Sequence, residues 1–195
     1  MRFQSWQACR AAILAVLLSA GVAGTAQAFD PGAHPTPAQG TLDAAFAPWD
    51  DIEGLILDAV DNARRQVLVQ AYILTSKPLT GALIAARKRG VDVRVLVDAG
   101  QLNKTGRTRL AAMREAGIEI RAETKYRNAH NKIIVIDAAD ADATVITGSY
   151  NFTWSAQNMN AENILIARKN RLLAARYAAN WMLHFQEAEA APSVQ

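Results

Sequence analysis

Cysteine is almost missing: Cys9 is the only one among 195 residues. No disulfide framework and no Cys-x-x-Cys metal site can therefore form within one chain. Histidine is also scarce, with three residues, His34, His130 and His184, spaced too far apart for an H-E-x-x-H zinc helix. There is no clustered Asp motif and no G-x-x-x-x-G-K-[ST] phosphate loop. Nor is there a G-x-S-x-G nucleophile elbow, since the run Gly148-Ser149-Tyr150-Asn151-Phe152 lacks its second glycine. The inventory calls for no metal and no cofactor. No apolar run reaches the roughly 20 residues that a spanning helix needs.

What is present begins with Arg2 and Arg10 ahead of an apolar stretch from Ala11 to Ala23, which leads into Ala26-Gln27-Ala28. This pattern predicts a secretory signal peptide over residues 1–28 and a periplasmic or secreted product with no stable membrane anchor after cleavage. Cleavage lowers the formal charge from +3 to +1, because both removed charges are arginines and every Asp and Glu lies after Ala28. A nucleic-acid partner would then have to be met by a local basic patch rather than by net charge.

Residues 29–40, FDPGAHPTPAQG, read as a flexible Pro- and Gly-rich lead, and 41–190 as one globular domain. A short extended piece is predicted over Thr41 to Phe46. Helical spacing follows from Ile52 to Ala63 behind an Asp50 or Asp51 cap, then a strand over Val67 to Leu74 and a helix from Leu79 to Arg89 ended by Gly90. Val91 to Val97 alternates like a strand buried mainly on one face. A helix over Arg107 to Ala116 stops at Gly117, and Ile118 to Arg121 starts another strand. Strands over His130 to Asp137, Ala143 to Thr147 and Asn163 to Ala167 come next, before a final helix over Asn170 to Glu187. Alternating elements argue for a layered α/β fold: a mixed central β-sheet with helices on both faces.

His130 and Lys132 are separated by one residue on a strand, so both point to one face, whereas Asp137 has the opposite parity and is expected to orient the scaffold. After Gly148, Ser149 and Asn151 offer a hydroxyl and an amide that can donate to an oxyanion. Glu162 is placed to accept from one imidazole nitrogen and leave the other free to attack.

The ordered set HNKIIVID and GSYNFTWSAQNMNAEN resembles the phospholipase D superfamily, whose signature is H-x-K-x4-D followed by G-S-x-N. It is most similar to the small bacterial endonucleases with one motif per chain. The resemblance implies a phospholipase D-like fold and makes His130 the nucleophile or acid. It makes Lys132, Ser149 and Asn151 the phosphate binders and Glu162 the partner of His130. The segment AADADATVIT between Asp137 and Gly148 is a few residues longer than usual, and a longer hairpin turn at Asp140 to Asp142 is expected to absorb it.

In-line displacement at phosphorus needs a nucleophile on one side and a proton donor on the other. One imidazole cannot do both. His34 lies in the lead and His184 on the last helix, so the second imidazole is expected from His130 of another copy, in a homodimer with its active site on the two-fold axis. Lys104, Arg107, Arg109, Lys125 and Arg127 are rim candidates for tracking phosphates, with Tyr126 and Trp154 for base stacking. The favoured substrate is nucleic acid, cut without sequence specificity through a phosphohistidine and without a metal. Phospholipid hydrolysis or transphosphatidylation is the alternative, less favoured because no uncommitted apolar surface stretch is evident. An inactive nucleic-acid- or envelope-binding homologue is the other class.

Overall fold

The structure, a computed structural model, describes residues 29–102 and 104–191, with nothing assigned to the side chain of Lys104. The expected signal peptide lies outside the described residues.

Strand β1, Thr41–Ala47, leads to helix α1, Ile52–Asp61, and strand β2, Gln66–Ala71. Helix α2, Lys77–Lys88, strand β3, Asp92–Asp98, a 3-10 turn at Ala99–Gln101, helix α3, Lys104–Glu115, and strand β4, Glu119–Glu123, follow. The second half carries strand β5, Lys132–Ile136, strand β6, Thr144–Gly148, and the short helix α4, Trp154–Asn158. Strand β7, Glu162–Arg168, helix α5, Arg171–Glu187, and strand β8, Glu189–Ala190, complete it.

The helix starts are capped by side chains, Asp51 being one of the two caps expected for α1 and Ser76 and Asn170 being found only here. Asp51 caps α1 by accepting from the Gly54 amide, Ser76 caps α2 through Leu79, and Asn170 caps α5 through Leu173. Gly90 and Gly117 follow α2 and α3 at φ of 92° and 78°, the left-handed conformation that a residue without Cβ adopts freely.

The eight strands form one mixed sheet in the order β1-β7-β6-β5-β2-β3-β4-β8. β2, β3 and β4 run parallel, while β5, β6, β7 and β1 pair antiparallel. One face carries a core in which Val67, Val69, Val93, Val95, Ile134 and Ile146 meet Ile52 and Ile56 of α1, Leu79 and Leu83 of α2, and Leu110 and Met113 of α3. On the other face Leu68, Leu96, Ile133, Val135 and Val145 pack under Ala174, Trp181 and Phe185 of α5. Each fully buried large aliphatic side chain contributes about 1.5–3 kcal/mol of transfer free energy, so both layers are needed to hold the sheet.

Several boundaries differ from the sequence expectation. β2 ends at Ala71 rather than Leu74, because Ile73 and Thr75 bond to the Phe152 backbone instead of a ladder. β3 is buried on both faces from Val95 to Asp98, not mainly on one, since helices cover both sides of a parallel centre. β5 spans Lys132–Ile136, so His130 precedes the strand and Asp137 follows it. The turn between β5 and β6 is closed by Asp140 N–H to Asp137 O at 2.8 Å and Ala143 N–H to Asp140 O at 3.3 Å, which takes up the extra residues. Helix α4 and strand β8 had no counterpart in the periodicity.

Candidate active site

Antiparallel pairing brings the start of β5, the end of β6 and the start of β7 to one end of the sheet. Lys132 sits opposite Ala71, Gly148 opposite Ile164, and Glu162 opposite Ala47. The carboxyl ends of parallel β2, β3 and β4 open to the same end, which is where layered α/β sheets present their ligand sites. His130, Lys132, Ser149, Asn151 and Glu162 are thus gathered from three separate segments.

Gly148 allows the close approach. A Cβ there would collide with the Asn163 carbonyl oxygen across β6 and β7. Past it, the Ser149 amide donates to Asn163 O at 3.1 Å, the Ser149 hydroxyl donates to Glu162 Oε2 at 2.5 Å, and the Asn163 amide donates back to Ser149 Oγ at 3.1 Å. Asn160 Nδ2 donates to the other carboxylate oxygen at 3.0 Å. Asn151 is half-buried, and its Oδ1 is a buried atom with no partner among the described residues. Tyr150, beside it, is fully buried, and burial raises its phenol pKa well above the ordinary value.

Lys132 is buried, and its Nζ donates to the carbonyl oxygen of His130 at 2.9 Å while lying 4.7 Å from the centroid of the Tyr72 ring. Desolvation lowers its pKa, and the nearby Glu162 charge opposes that shift. His130 is exposed, with its ring 4.3 Å from the Tyr72 ring at an interplanar angle of 59°. Tyr72 was missed by sequence reasoning, although its place just past the end of β2 was the available signal.

The expected pairing of Glu162 with His130 is not made within one chain. Glu162 is occupied by Ser149 and Asn160, while His130, lying ahead of β5, leans on Tyr72. Asp137 lies far from this end: five residues of strand separate it from Lys132 by about 16 Å. Its carboxylate accepts from the amides of Arg64 at 2.9 Å, Arg65 at 2.7 Å and Gln66 at 2.8 Å, fixing the entry to β2.

The rim residues divide. Lys125 is ion-paired with Glu187 at 2.7 Å, and Tyr126 rests on the His184 ring at 5.2 Å with its hydroxyl 3.3 Å from Glu187. Neither is free, because the end of α5 passes beneath that loop. Arg107 and Arg127 are exposed and without an ion pair among the described residues. Arg109 Nε donates to Thr75 O at 3.3 Å. Trp154 is 65% exposed three residues after Asn151. Trp49, at 83%, and Met159, at 71%, are also open to solvent on segments flanking β7, an apolar exposure the sequence had not suggested.

The other imidazoles are committed elsewhere. His34 pairs with Asp30 in the lead at 3.0 Å. His184 Nδ1 lies 2.6 Å from Glu123 Oε1, a buried carboxylate that also accepts from Gln70. Among the described residues no group of three or more His, Cys, Asp or Glu side chains is arranged to hold a metal, and no helix is long and apolar enough to cross a membrane.

Comparison with known proteins supplies the context. A family model described as cardiolipin synthase, PLD-like domain, matches residues 56–184. "Phospholipase D" of Rickettsia prowazekii (strain Madrid E) is 37% identical over 140 residues, which are 72% of this chain and 65% of that protein. The chain thus spans about two thirds of this relative's length. "Mitochondrial cardiolipin hydrolase" of Danio rerio is 29% identical over 60% of this chain and 50% of the relative. Among solved structures, the phospholipase D family member Nuc from Salmonella typhimurium superimposes with a TM-score of 0.74 at 28% identity, covering 78% of this chain and 99% of Nuc.

Proposed function

This chain belongs to the phospholipase D-like family, and from that premise we propose that it is an exported, metal-independent phosphodiesterase acting through a phosphohistidine, with nucleic acid as its substrate. The observation that carries the reading is the convergence of His130, Lys132, Ser149, Asn151 and Glu162 at one end of the sheet, with a buried ammonium beside an exposed imidazole.

In this mechanism the His130 imidazole attacks phosphorus and expels one alcohol, giving a phosphohistidine. The second imidazole, His130 of a partner copy, protonates the leaving oxygen and then takes a proton from the water that releases the product. Lys132 and the Asn151 amide offset charge on the equatorial oxygens. Glu162 and Ser149 act as one hydrogen-bonded unit at the edge of this phosphate site. The homodimer is supported by the distant commitments of His34 and His184, which leave one imidazole per chain at the site.

Arg107, Arg127 and Trp154 form the free part of the rim, a combination suited to a phosphate backbone and stacked bases. A second reading, phospholipid hydrolysis, is favoured by the exposure of Trp49, Trp154 and Met159, since tryptophan seats well at a lipid–water boundary. The names of the Rickettsia and Danio relatives point the same way. The test is to assay a supercoiled plasmid and phosphatidylcholine vesicles side by side in EDTA. Nicking without lipid turnover is the expected result. Lipid turnover alone would overturn the substrate, and inactivity on both would overturn the enzyme reading.

A further inference from the structure

His130 has no hydrogen bond to either ring nitrogen among the described residues, so its aim depends on how its backbone is held. Three contacts hold it. Its own carbonyl accepts from Lys132 Nζ at 2.9 Å, and the following carbonyl, of Asn131, accepts from the Tyr72 amide at 2.8 Å. On the preceding side, the Ala129 amide donates to Asp98 Oδ2 at 2.6 Å.

Asp98 is the last residue of β3. Val97 before it enters the core under the helices, so alternation turns Asp98 to the opposite face, where it is 2% exposed. Among the described residues no cation is paired with it. A carboxylate desolvated to that degree is retained at a cost unless its charge is used, and among the described residues the side chain's only hydrogen bond is the short one from the Ala129 amide. The loop from Thr124 to Asn131 has no regular structure, and its other anchors, Thr124 to Glu189 and Lys125 and Tyr126 to Glu187, are exposed pairs three or more residues further back. Such exposed contacts are screened by solvent and cannot fix Ala129. The contact from Lys132 is also the one that a substrate phosphate would compete for.

We infer that Asp98 is a positioning residue for His130: its buried carboxylate pins the Ala129 amide and so sets the approach of the imidazole to phosphorus. The inference rests on the phosphodiesterase reading for its kinetic consequence, but not for its structural one.

Asp98→Ala and Asp98→Asn test it, with bis(p-nitrophenyl) phosphate as a substrate that has neither base nor lipid chain. A misplacement of about 1 Å lowers a rate by about 100-fold, so Asp98→Ala should reduce kcat by about that factor and leave KM within about twofold. Asp98→Asn, which keeps an oxygen acceptor without the charge, should lose about tenfold and decides the matter if the alanine variant does not fold. In parallel, the rate at which diethyl pyrocarbonate acylates His130, followed on its own peptide by mass spectrometry, should change in both variants. Unchanged kcat per folded site, with only a lower melting temperature, would overturn the proposal. If the wild type itself proves inactive, the phosphodiesterase reading fails, and an unchanged His130 acylation rate would then separately remove the role of Asp98.

Discussion

The Lys132 ammonium donates to the carbonyl oxygen of His130 at 2.9 Å, so the two motif residues are tied through the backbone and not through their rings. A phosphate entering the site offers that ammonium a charged acceptor in place of a neutral one, a stronger bond that draws Lys132 toward substrate. Pre-organisation and binding are then alternatives for one group.

That exchange requires a protonated Lys132. Burial holds its pKa below the ordinary lysine range, so the cation is lost as pH rises through that lowered value. The alkaline limb of kcat/KM should fall below the range of an exposed lysine, and Lys132→Arg should move it upward. For stability the sign is reversed: the unfolded chain binds this proton more tightly, so this group's contribution to stability rises with pH across the same window. Lys132→Met should abolish turnover yet melt no lower than wild type; a drop of several degrees would contradict the cost assigned to the buried charge.

His130→Asn should lower turnover by at least about 1,000-fold while sparing substrate binding. Mixed with an equal amount of wild type and allowed to exchange subunits, it should leave about a quarter of the wild-type activity per dimer, because only dimers with two intact copies work. About a half would mean independent sites, and a fully active monomer would end the two-chain mechanism.

Asp137 serves the opposite end of the sheet, where its carboxylate accepts three backbone amides. Asp137→Ala should cost about 3 kcal/mol in chemical unfolding, since three part-buried backbone donors lose a charged acceptor, yet leave kcat per folded molecule unchanged. Asp137→Asn should recover part of the loss, because Asn tolerates the φ of 49° found there. A large fall in kcat with intact folding would bring Asp137 back to the chemistry.

Glu187 holds Lys125 and Tyr126 back from the rim. Glu187→Gln should free Lys125 and strengthen binding of a single-stranded oligonucleotide at low salt, with a steeper salt dependence. Arg127→Ala should weaken binding more than Lys125→Ala does in the wild-type background; the reverse order would show that the ion pair opens on binding.

Much of this was legible in the chain. The spacing of His130 and Lys132, the Gly148-Ser149-x-Asn151 turn and Glu162 marked out the residues that the fold brings to one end of the sheet, because side-chain parity and local turn chemistry are short-range properties. The helix starts, at Asp50 or Asp51 and at about Asn170, and the stops at Gly90 and Gly117 were readable for the same reason. Burial of β3 on both faces was not, since it depends on α5 closing over a face that the alternation in Val91 to Val97 had left polar.

The sequence by itself determined the layered α/β fold, the family and which polar groups the candidate site contains. Only the tertiary structure decided which partners those groups have. It gave Glu162 to Ser149 rather than His130, Lys125 to Glu187 rather than the rim, and Ala129 to Asp98, each across 13 to 62 residues. Such pairings depend on which strands become neighbours and where a distant helix ends, and no local pattern of residues encodes that.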